Sequence, residues 1–442
     1  MRLASARITN FRSILDSGTF PVDPRLTWIE GANETGKTAV LEALQLIHAA
    51  TGTEELNPES DYPRTRLDAL EEGARSLSDV PVVAAEFALD EADRALLPPR
   101  YANARPGYRV TRFLDNSAAH LLLGVPPGPG PGDVAEALRS VAAHGGEPAE
   151  QALAELLAEA TQDRGLGRGL LRRLGAWLEE LRGVAPDDAL AVAEPILAHA
   201  ADEAQALAML EAHLPTFILF DRSILLDTWL DLQPIPDRLA PDAVSEWRAP
   251  YGNECLLKLL SFDPEAEEED PGLDDAEEAL LPEPFDPAAF RVASTARRLT
   301  RALRELWGSP KDRPGAERVR IAREGGWVRV TVEDQLGAEV ELGQRSDALR
   351  YLLSFLIVYF AETALAGRDA ILLLDEPAAR LDQQRRVALQ RLVETLSQRH
   401  QTIVLADNQL LPGGERPGLT LSVAIPEPER GTRVTAVEAS VA

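Results

Sequence analysis

The sequence predicts an α/β protein of two lobes separated by a mainly helical insertion, and three observations lead there. The strand-like run Leu26-Thr27-Trp28-Ile29-Glu30 passes directly into a glycine loop and then into a helical pattern. The continuous apolar run Ala370 to Leu374 has the character of a strand buried on both faces of a parallel sheet. Between them lies a long stretch rich in Ala, Leu, Glu and Arg, residues that favour helix. The 442 residues, 45% hydrophobic and 26% charged, are enough for a sizeable core and two or three domains.

Taken in order, residues 2–9 and 19–30 alternate polar and apolar positions as strands do, and Val40, Leu41, Leu44 and Ile47 recur at helical spacing after the glycine loop. Val80 to Leu89 and Tyr108 to Leu114 read as strands and extend an N-terminal lobe over residues 1–125. A Pro/Gly alternation from Pro126 to Gly132 then breaks the chain. Residues 126–314 form the insertion. Two or three helices fit Asp133 to Leu214, interrupted by glycines 165, 167 and 169 and by Pro186 and Pro195. An apolar run, Leu214 to Leu226, and helical candidates near 241–262 and 286–308 follow. Residues 315–442 form a C-terminal lobe. Its expected elements are strands at Val319 to Ile321, Trp327 to Val332 and Glu339 to Leu342, a long apolar helix from Ser346, the strand 370–374, a helix at Val387 to Arg399, a strand at Thr402 to Ala406 and two terminal strands.

Charge and composition exclude several classes. With 72 acidic against 45 basic residues the net charge is −27, so any nucleic-acid contact must be a local basic patch on an acidic body. A single cysteine, Cys255, excludes an internal disulfide and any multi-thiolate metal site and agrees with a reducing, cytoplasmic setting. No signal-peptide core opens the chain. The most apolar run, Tyr351 to Ala361, is shorter than the roughly 18 residues of a bilayer span, so no membrane partner is expected. Residues 263–286 hold twelve acidic residues, four prolines and no basic residue, and read as a solvated loop, with metal binding as the remote alternative.

Gly31-Ala32-Asn33-Glu34-Thr35-Gly36-Lys37-Thr38 matches G-x-x-x-x-G-K-[ST] between a predicted strand and a predicted helix. Glycines there let the backbone wrap closely, so that the N–H groups of residues 33–39, including those of Asn33, Glu34, Thr35, Gly36 and Ala39, face phosphate oxygens. Lys37 then reaches the outer phosphates of ATP, and Thr38 offers its hydroxyl to Mg²⁺. Lysine occurs only at 37, 258 and 311, so its presence in the loop stands out. The second half is the strand ending Leu374-Asp375-Glu376-Pro377, which delivers two carboxylates at the mouth of a parallel sheet. Asp375 is the expected Mg²⁺ ligand, and Glu376 the general base that polarises the attacking water.

These residues, with Asn10-Phe11-Arg12-Ser13-Ile14 and Arg380-Leu381-Asp382, resemble the ATP-binding-cassette heads of RecF and SMC proteins. The chain is still more similar to the OLD (overcoming lysogenisation defect) ATPases, whose signature helix opening resembles Gln344-Arg345-Ser346-Asp347-Ala348-Leu349-Arg350 here. Asp61-Tyr62-Pro63-Arg64 and Leu214-Pro215-Thr216-Phe217 look like further pieces of that family. The resemblance covers residues 1–125 and 315–435. It implies an ABC-type P-loop head that dimerises around two ATP molecules, each loop facing the partner's Ser346, with Arg12 near the nucleotide and Asp382 at the dimer contact. Ser346 also reads simply as the N-cap of a core helix.

Two departures matter. Where such heads carry a switch histidine after the strand at 402–406, this chain has Asp407, and a carboxylate there repels a γ-phosphate, so slow or conditional hydrolysis is expected. His400 precedes that strand and reads as an ordinary surface residue. Only 35 residues follow Asp407, too few for the Toprim nuclease of full-length OLD proteins, so an effector nuclease or toxin is expected as a separate polypeptide. The insertion is then either its docking surface or inert. The resemblance thus implies an ATPase acting in anti-phage defence or on DNA. The alternatives are a nucleotide-gated scaffold with negligible turnover and a RecF-like repair ATPase.

Overall fold

The computed structural model describes residues 1–50, 55–67, 76–101, 104, 106–126, 128–162, 166–221, 224–231, 251–260, 287–307, 318–333, 337–366, 370–378, 383–406, 418–427 and 431–437. The chain is mixed α/β and divides into two compact units. Unit 1 comprises Met1–Pro24, Gly31–Thr216 and Ser422–Ala442, and unit 2 comprises Arg25–Glu30 and Phe217–Leu421. These boundaries differ from the lobes and insertion expected at 125 and 314.

In chain order, β1 (Arg2–Phe11), β2 (Ile14–Pro21) and β3 (Leu26–Glu30) lead to α1 (Lys37–Gln45). Then come β4 (Pro81–Ala88), β5 (Gly107–Phe113), β6 (Ala118–Leu123) and four helices, α2 (Pro131–Gly145), α3 (Glu147–Gln162), α4 (Arg168–Glu180) and α5 (Asp187–Ala212). Next are β7 (Thr216–Phe220), β8 (Trp229–Asp231), α6 (Tyr251–Leu260) and α7 (Pro287–Trp307). The remainder is β9 (Arg318–Glu324), β10 (Trp327–Glu333), β11 (Glu339–Glu341), α8 (Asp347–Ala366), β12 (Ala370–Asp375), α9 (Gln383–Ser397), β13 (Gln401–Leu405), β14 (Leu419–Ala424) and β15 (Arg433–Ala436).

In unit 1 an antiparallel sheet has the order β2-β1-β4-β5-β6. Alternation in β1 buries Ala6, Ile8 and Asn10, and α1, with Val40, Leu41 and Leu44 buried, packs on β1 and β4. Strand β6 lies beyond the strands expected in the N-terminal lobe. Helices α2 to α5 share their own core, including Leu138, Leu153, Leu174, Trp177 and Leu197. Four helices stand where two or three were expected. Gly146, at φ 74, parts α2 from α3, and Pro186 is the N-cap of α5. Pro195, expected to interrupt, instead lies inside α5.

In unit 2 the strands run β14-β3-β13-β12-β7. Strand β13 is parallel to both β3 and β12. Every residue of β13 is buried, as is every residue of β12 except Asp375, the pattern of a central parallel sheet with little access to water. A smaller antiparallel sheet has β9 along one edge of β10, with β8 and β11 sharing the other. Helix α8 packs against α6 and α7. No helix among the described residues is long and apolar enough to cross a membrane. The acidic run 263–286 lies outside the described residues.

Candidate functional site

The phosphate-type loop follows β3 without a break. Gly31 has no room for a side chain, because a Cβ there would meet the Val423 carbonyl oxygen at 2.2 Å. Glu34 and Gly36 adopt left-handed φ of 64° and 91°, which turns the chain sharply into α1. Thr35 Oγ1 donates to the Ala32 carbonyl at 2.9 Å and fixes the bend. Lys37 is 8% exposed, and its ammonium donates to the carbonyls of Gly31 and Ala32 at 3.1 and 2.8 Å, lying back across the loop. Helix α1 begins at Lys37 with no capping side chain and no acidic residue in its first turn. Its first N–H groups and dipole therefore favour an anion. Asn33, Glu34 and Thr38 are exposed, whereas Ala39 is buried and has only its backbone N–H to offer.

The N-terminal motif braces this loop. Arg12, at φ 50, bonds Glu42 of α1 and Asp61 Oδ1 at 3.2 Å, and its backbone N–H donates to the Asp61 carbonyl. Burial opposes the guanidinium charge, but Glu42 and Asp61 outweigh it and its pKa is raised. The expectation for Arg12 was the nucleotide; in this structure its partners are carboxylates that tie β1 to α1. Sequence reasoning missed Ser13 and Thr432. A Cβ on Gly36 would meet Ser13 Oγ and Thr432 Oγ1, both at 2.8 Å. Thr432 is fully buried and donates to the Thr35 carbonyl at 2.9 Å. Ser13 carried a signal, since it sits in the motif at 10–14. Thr432 carried none, being 397 positions from its partner.

The carboxylate half belongs to unit 2. Register pairs Asp375 of β12 with Leu405 of β13, and Leu405 with Ile29 of β3. Three parallel strands thus end at one edge, with Asp375 about 10 Å from Ile29 at two strand spacings. Glu376, next along, takes φ 44, a left-handed conformation that is strained for a non-glycine residue and turns the chain at the strand end. Burial, and then the Asp375 and Asp221 carboxylates, push the Tyr351 phenol pKa up. Among the described residues no partner bonds the Tyr351 hydroxyl. No group of His, Cys, Asp and Glu able to hold a metal by itself occurs among the described residues. A cation at Asp375 would therefore need ligands beyond these side chains, such as phosphate and water.

Ser346 precedes α8, and its Oγ accepts the Leu349 N–H at 3.4 Å, so the capping reading holds. Ser346 is exposed. Arg350 donates to the Leu226 carbonyl at 2.8 Å, and Ser354 Oγ accepts the Leu226 N–H at 2.9 Å, which anchors that helix end. Asp382 and Asp407 lie outside the described residues. His400 is half-buried, its ring 5.7 Å edge-on from that of Tyr359, rather than an ordinary surface residue.

Comparison with known proteins gives partial matches. An AAA domain family model, AAA_23, matches residues 5–77. Those residues contain both the N-terminal motif and the glycine loop. Over 92 residues the chain is 38% identical to the aliphatic sulfonates import ATP-binding protein SsuB of Yersinia pestis, covering 18% of this chain and 34% of that protein. The match thus spans about a third of the curated relative's length. Among solved structures, the chain is similar to an SMC head bound to the C-winged helix domain of ScpA, with TM-score 0.45, 12% identity and 100% and 98% of the two chains covered. It is also similar to the SMC head domain from Thermotoga maritima, with TM-score 0.39, 12% identity and 99% and 100% covered.

Proposed function

We propose that this chain is an ABC-type ATPase that binds ATP with Mg²⁺ and hydrolyses it to ADP and phosphate. The observation that carries the reading is the shared edge of β3, β13 and β12: one strand opens into an uncapped, glycine-shaped anion loop and another ends in Asp375 and Glu376. The sequence match to an AAA domain and to an import ATP-binding protein supports it.

In this reading the N–H groups of the loop and of α1 hold the phosphates, and Lys37 exchanges its carbonyl partners for phosphate oxygens. Thr38 and Asp375 hold the metal, which when bound neutralises charge on the outer phosphates. Glu376 accepts the proton of the attacking water. Lys37→Ala is expected to abolish ATP binding measured by calorimetry. Glu376→Gln is expected to retain binding and slow hydrolysis roughly 100- to 10,000-fold, the usual worth of a general base. Wild-type protein that neither binds nor hydrolyses ATP would sink the proposal.

The finer reading is a homodimer or higher homo-oligomer formed on ATP, with Ser346 on the partner's nucleotide and Asp382 at the contact, controlling a separate nuclease or toxin, or DNA, in bacterial anti-phage defence. It rests on the likeness of residues 10–14 to RecF and SMC heads and of residues 344–350 to OLD heads, and on the exposed Ser346 at a helix start. ATP-dependent dimerisation of Glu376→Gln in sedimentation tests it. Asp407 favours the second reading, a nucleotide-gated scaffold, for which tight ATP binding with very slow turnover is the signature.

A further inference from the structure

Within unit 2, strand β9 has β10 on one side and helix α7 packed near the other. One bond stitches that outer edge to the helix: the Val319 N–H donates to Thr300 Oγ1 at 3.0 Å, and this hydroxyl donates in turn to the Ala296 carbonyl at 2.7 Å. The register of the hairpin fixes which other backbone groups point outward. Gly325 and Gly326 form a two-residue turn closed by the pair Glu324 and Trp327, so that pair exchanges hydrogen bonds, as does every second residue back along β9. Val319, Ile321 and Arg323 are the intervening residues, whose N–H and C=O turn away from β10. The Thr300 contact of Val319 agrees with this. Among the described residues nothing bonds the N–H or C=O of Ile321, and β9 pairs with no strand but β10. Such an edge is a template for another strand.

Ile321 lines an open groove of about 1020 Å³ between α7 and β9, faced from the helix by the small residues Ala293 and Ala296. From residue 293 to residue 304 the helix rises about 16 Å, the length of about five extended residues. Arginines flank this space: Arg297, Arg301 and Arg304 from α7, Arg318 and Arg320 from β9 and Arg329 from β10. Two of them are already matched. Arg320 pairs with Glu333 and Glu339 at 2.9 and 3.1 Å, and Arg329 with Glu324 and Glu341 at 3.3 and 3.5 Å. Among the described residues no carboxylate pairs with Arg297, Arg301 or Arg318, all of which are exposed. No described lining residue is aromatic, so the groove has guanidinium forks for carboxylates but no platform for stacked bases.

We propose that this groove is a strand-addition site, in which a partner protein lays an extended acidic segment of about five residues beside β9. The Ile321 N–H and C=O give the added strand its main-chain bonds. Carboxylates on the segment meet Arg297, Arg301 and Arg318, cations that select one sign of charge. Small apolar side chains between those carboxylates fit against Ala293, Ala296 and Ile321. Nucleic acid is the weaker candidate. Its phosphates would satisfy the arginines, but they offer no donor to the Ile321 carbonyl, and they must approach a chain of net charge −27. The inference stands on the open edge of β9 and the arginines beside it, independently of the ATPase reading.

The test uses the full chain and a fluorescein-labelled peptide of about ten residues alternating glutamate and valine, followed by anisotropy at about 50 mM salt, where charge contacts are strong. Saturable binding is expected, at least about tenfold tighter than for the same peptide with lysine in place of glutamate. Two further peptides carry N-methyl groups on the glutamates or on the valines, which removes alternate backbone donors and keeps every charge. Only one of those sets faces β9, so their affinities are expected to differ by at least about tenfold. Arg301→Glu with Arg318→Glu, both exposed positions, is expected to abolish binding with the melting temperature preserved; if the reversed charges unfold the protein, Arg301→Ala with Arg318→Ala replaces them. Absence of saturable binding overturns the proposal, as does binding that survives the arginine substitutions. Equal affinity of the two methylated peptides overturns it as well, since charge alone would then hold them. Tighter binding of single-stranded or duplex DNA than of the acidic peptide overturns it in favour of a nucleic-acid track.

Discussion

Replacing Gly36 by alanine strikes the loop at the point where its geometry is least forgiving. The residue sits at φ 91, and the new methyl group would lie 2.8 Å from both Ser13 Oγ and Thr432 Oγ1. The left-handed backbone costs a non-glycine residue about 1–2 kcal/mol. Relief of the overlap must move Thr432, which gives up its 2.9 Å bond to the Thr35 carbonyl, a further loss of about 0.5–1.5 kcal/mol. Together these amount to roughly 1.5–3.5 kcal/mol against the loop conformation, or roughly a 10- to 300-fold weaker ATP affinity at 1.4 kcal/mol per decade. Isothermal titration of ATP into wild type and Gly36→Ala measures it, and thermal unfolding without ligand shows whether the loss also reaches the fold. An affinity within about threefold of wild type would mean that neither the left-handed turn nor the Thr432 contact shapes the loop.

Three further outcomes are expected. Leu174→Ala, at a fully buried position of the helical core in unit 1, should cost about 2–5 kcal/mol in urea unfolding. Gly175→Ala, one residue on in α4 with open space around it, should instead stabilise by about 0.5–1 kcal/mol, since helix interiors disfavour glycine. His120 bonds the Tyr108 hydroxyl at 2.6 Å and faces Glu211 and Arg112; burial lowers its pKa, Glu211 acting against that and Arg112 with it. Below about pH 6.5 the unfolded chain takes up this proton before the folded one does, so stability falls as pH drops through that value, by at most about 1.4 kcal/mol per unit. His120→Gln should flatten that slope in melts between pH 5 and 7, and an unchanged slope would show that other groups set it.

The features legible in the sequence were those encoded in short windows. The turn from β3 into α1 was readable because glycines 31 and 36 sit where only a missing side chain permits the path, and because Lys37 is rare in an arginine-rich chain. The buried strand with Asp375 at its end was readable from five consecutive apolar residues. Helix counts in residues 131–212 were less so: Pro195 reads as a break, yet α5 runs through it. Strand β6 went unseen because Ala118 to Leu123 carries no clean alternation, its burial being decided by pairing with β5.

By itself the sequence determined the phosphate-type loop, the paired carboxylates at a strand end and the α/β class, since each follows from local backbone sterics or from periodic burial. Only the tertiary structure decided what surrounds them. It set Arg12 against Glu42 and Asp61, placed the Thr432 hydroxyl on the Thr35 carbonyl, and gathered arginines from α7, β9 and β10 along one groove. These contacts join residues far apart in the chain, and no window of sequence records which side chains packing will bring within reach of one another.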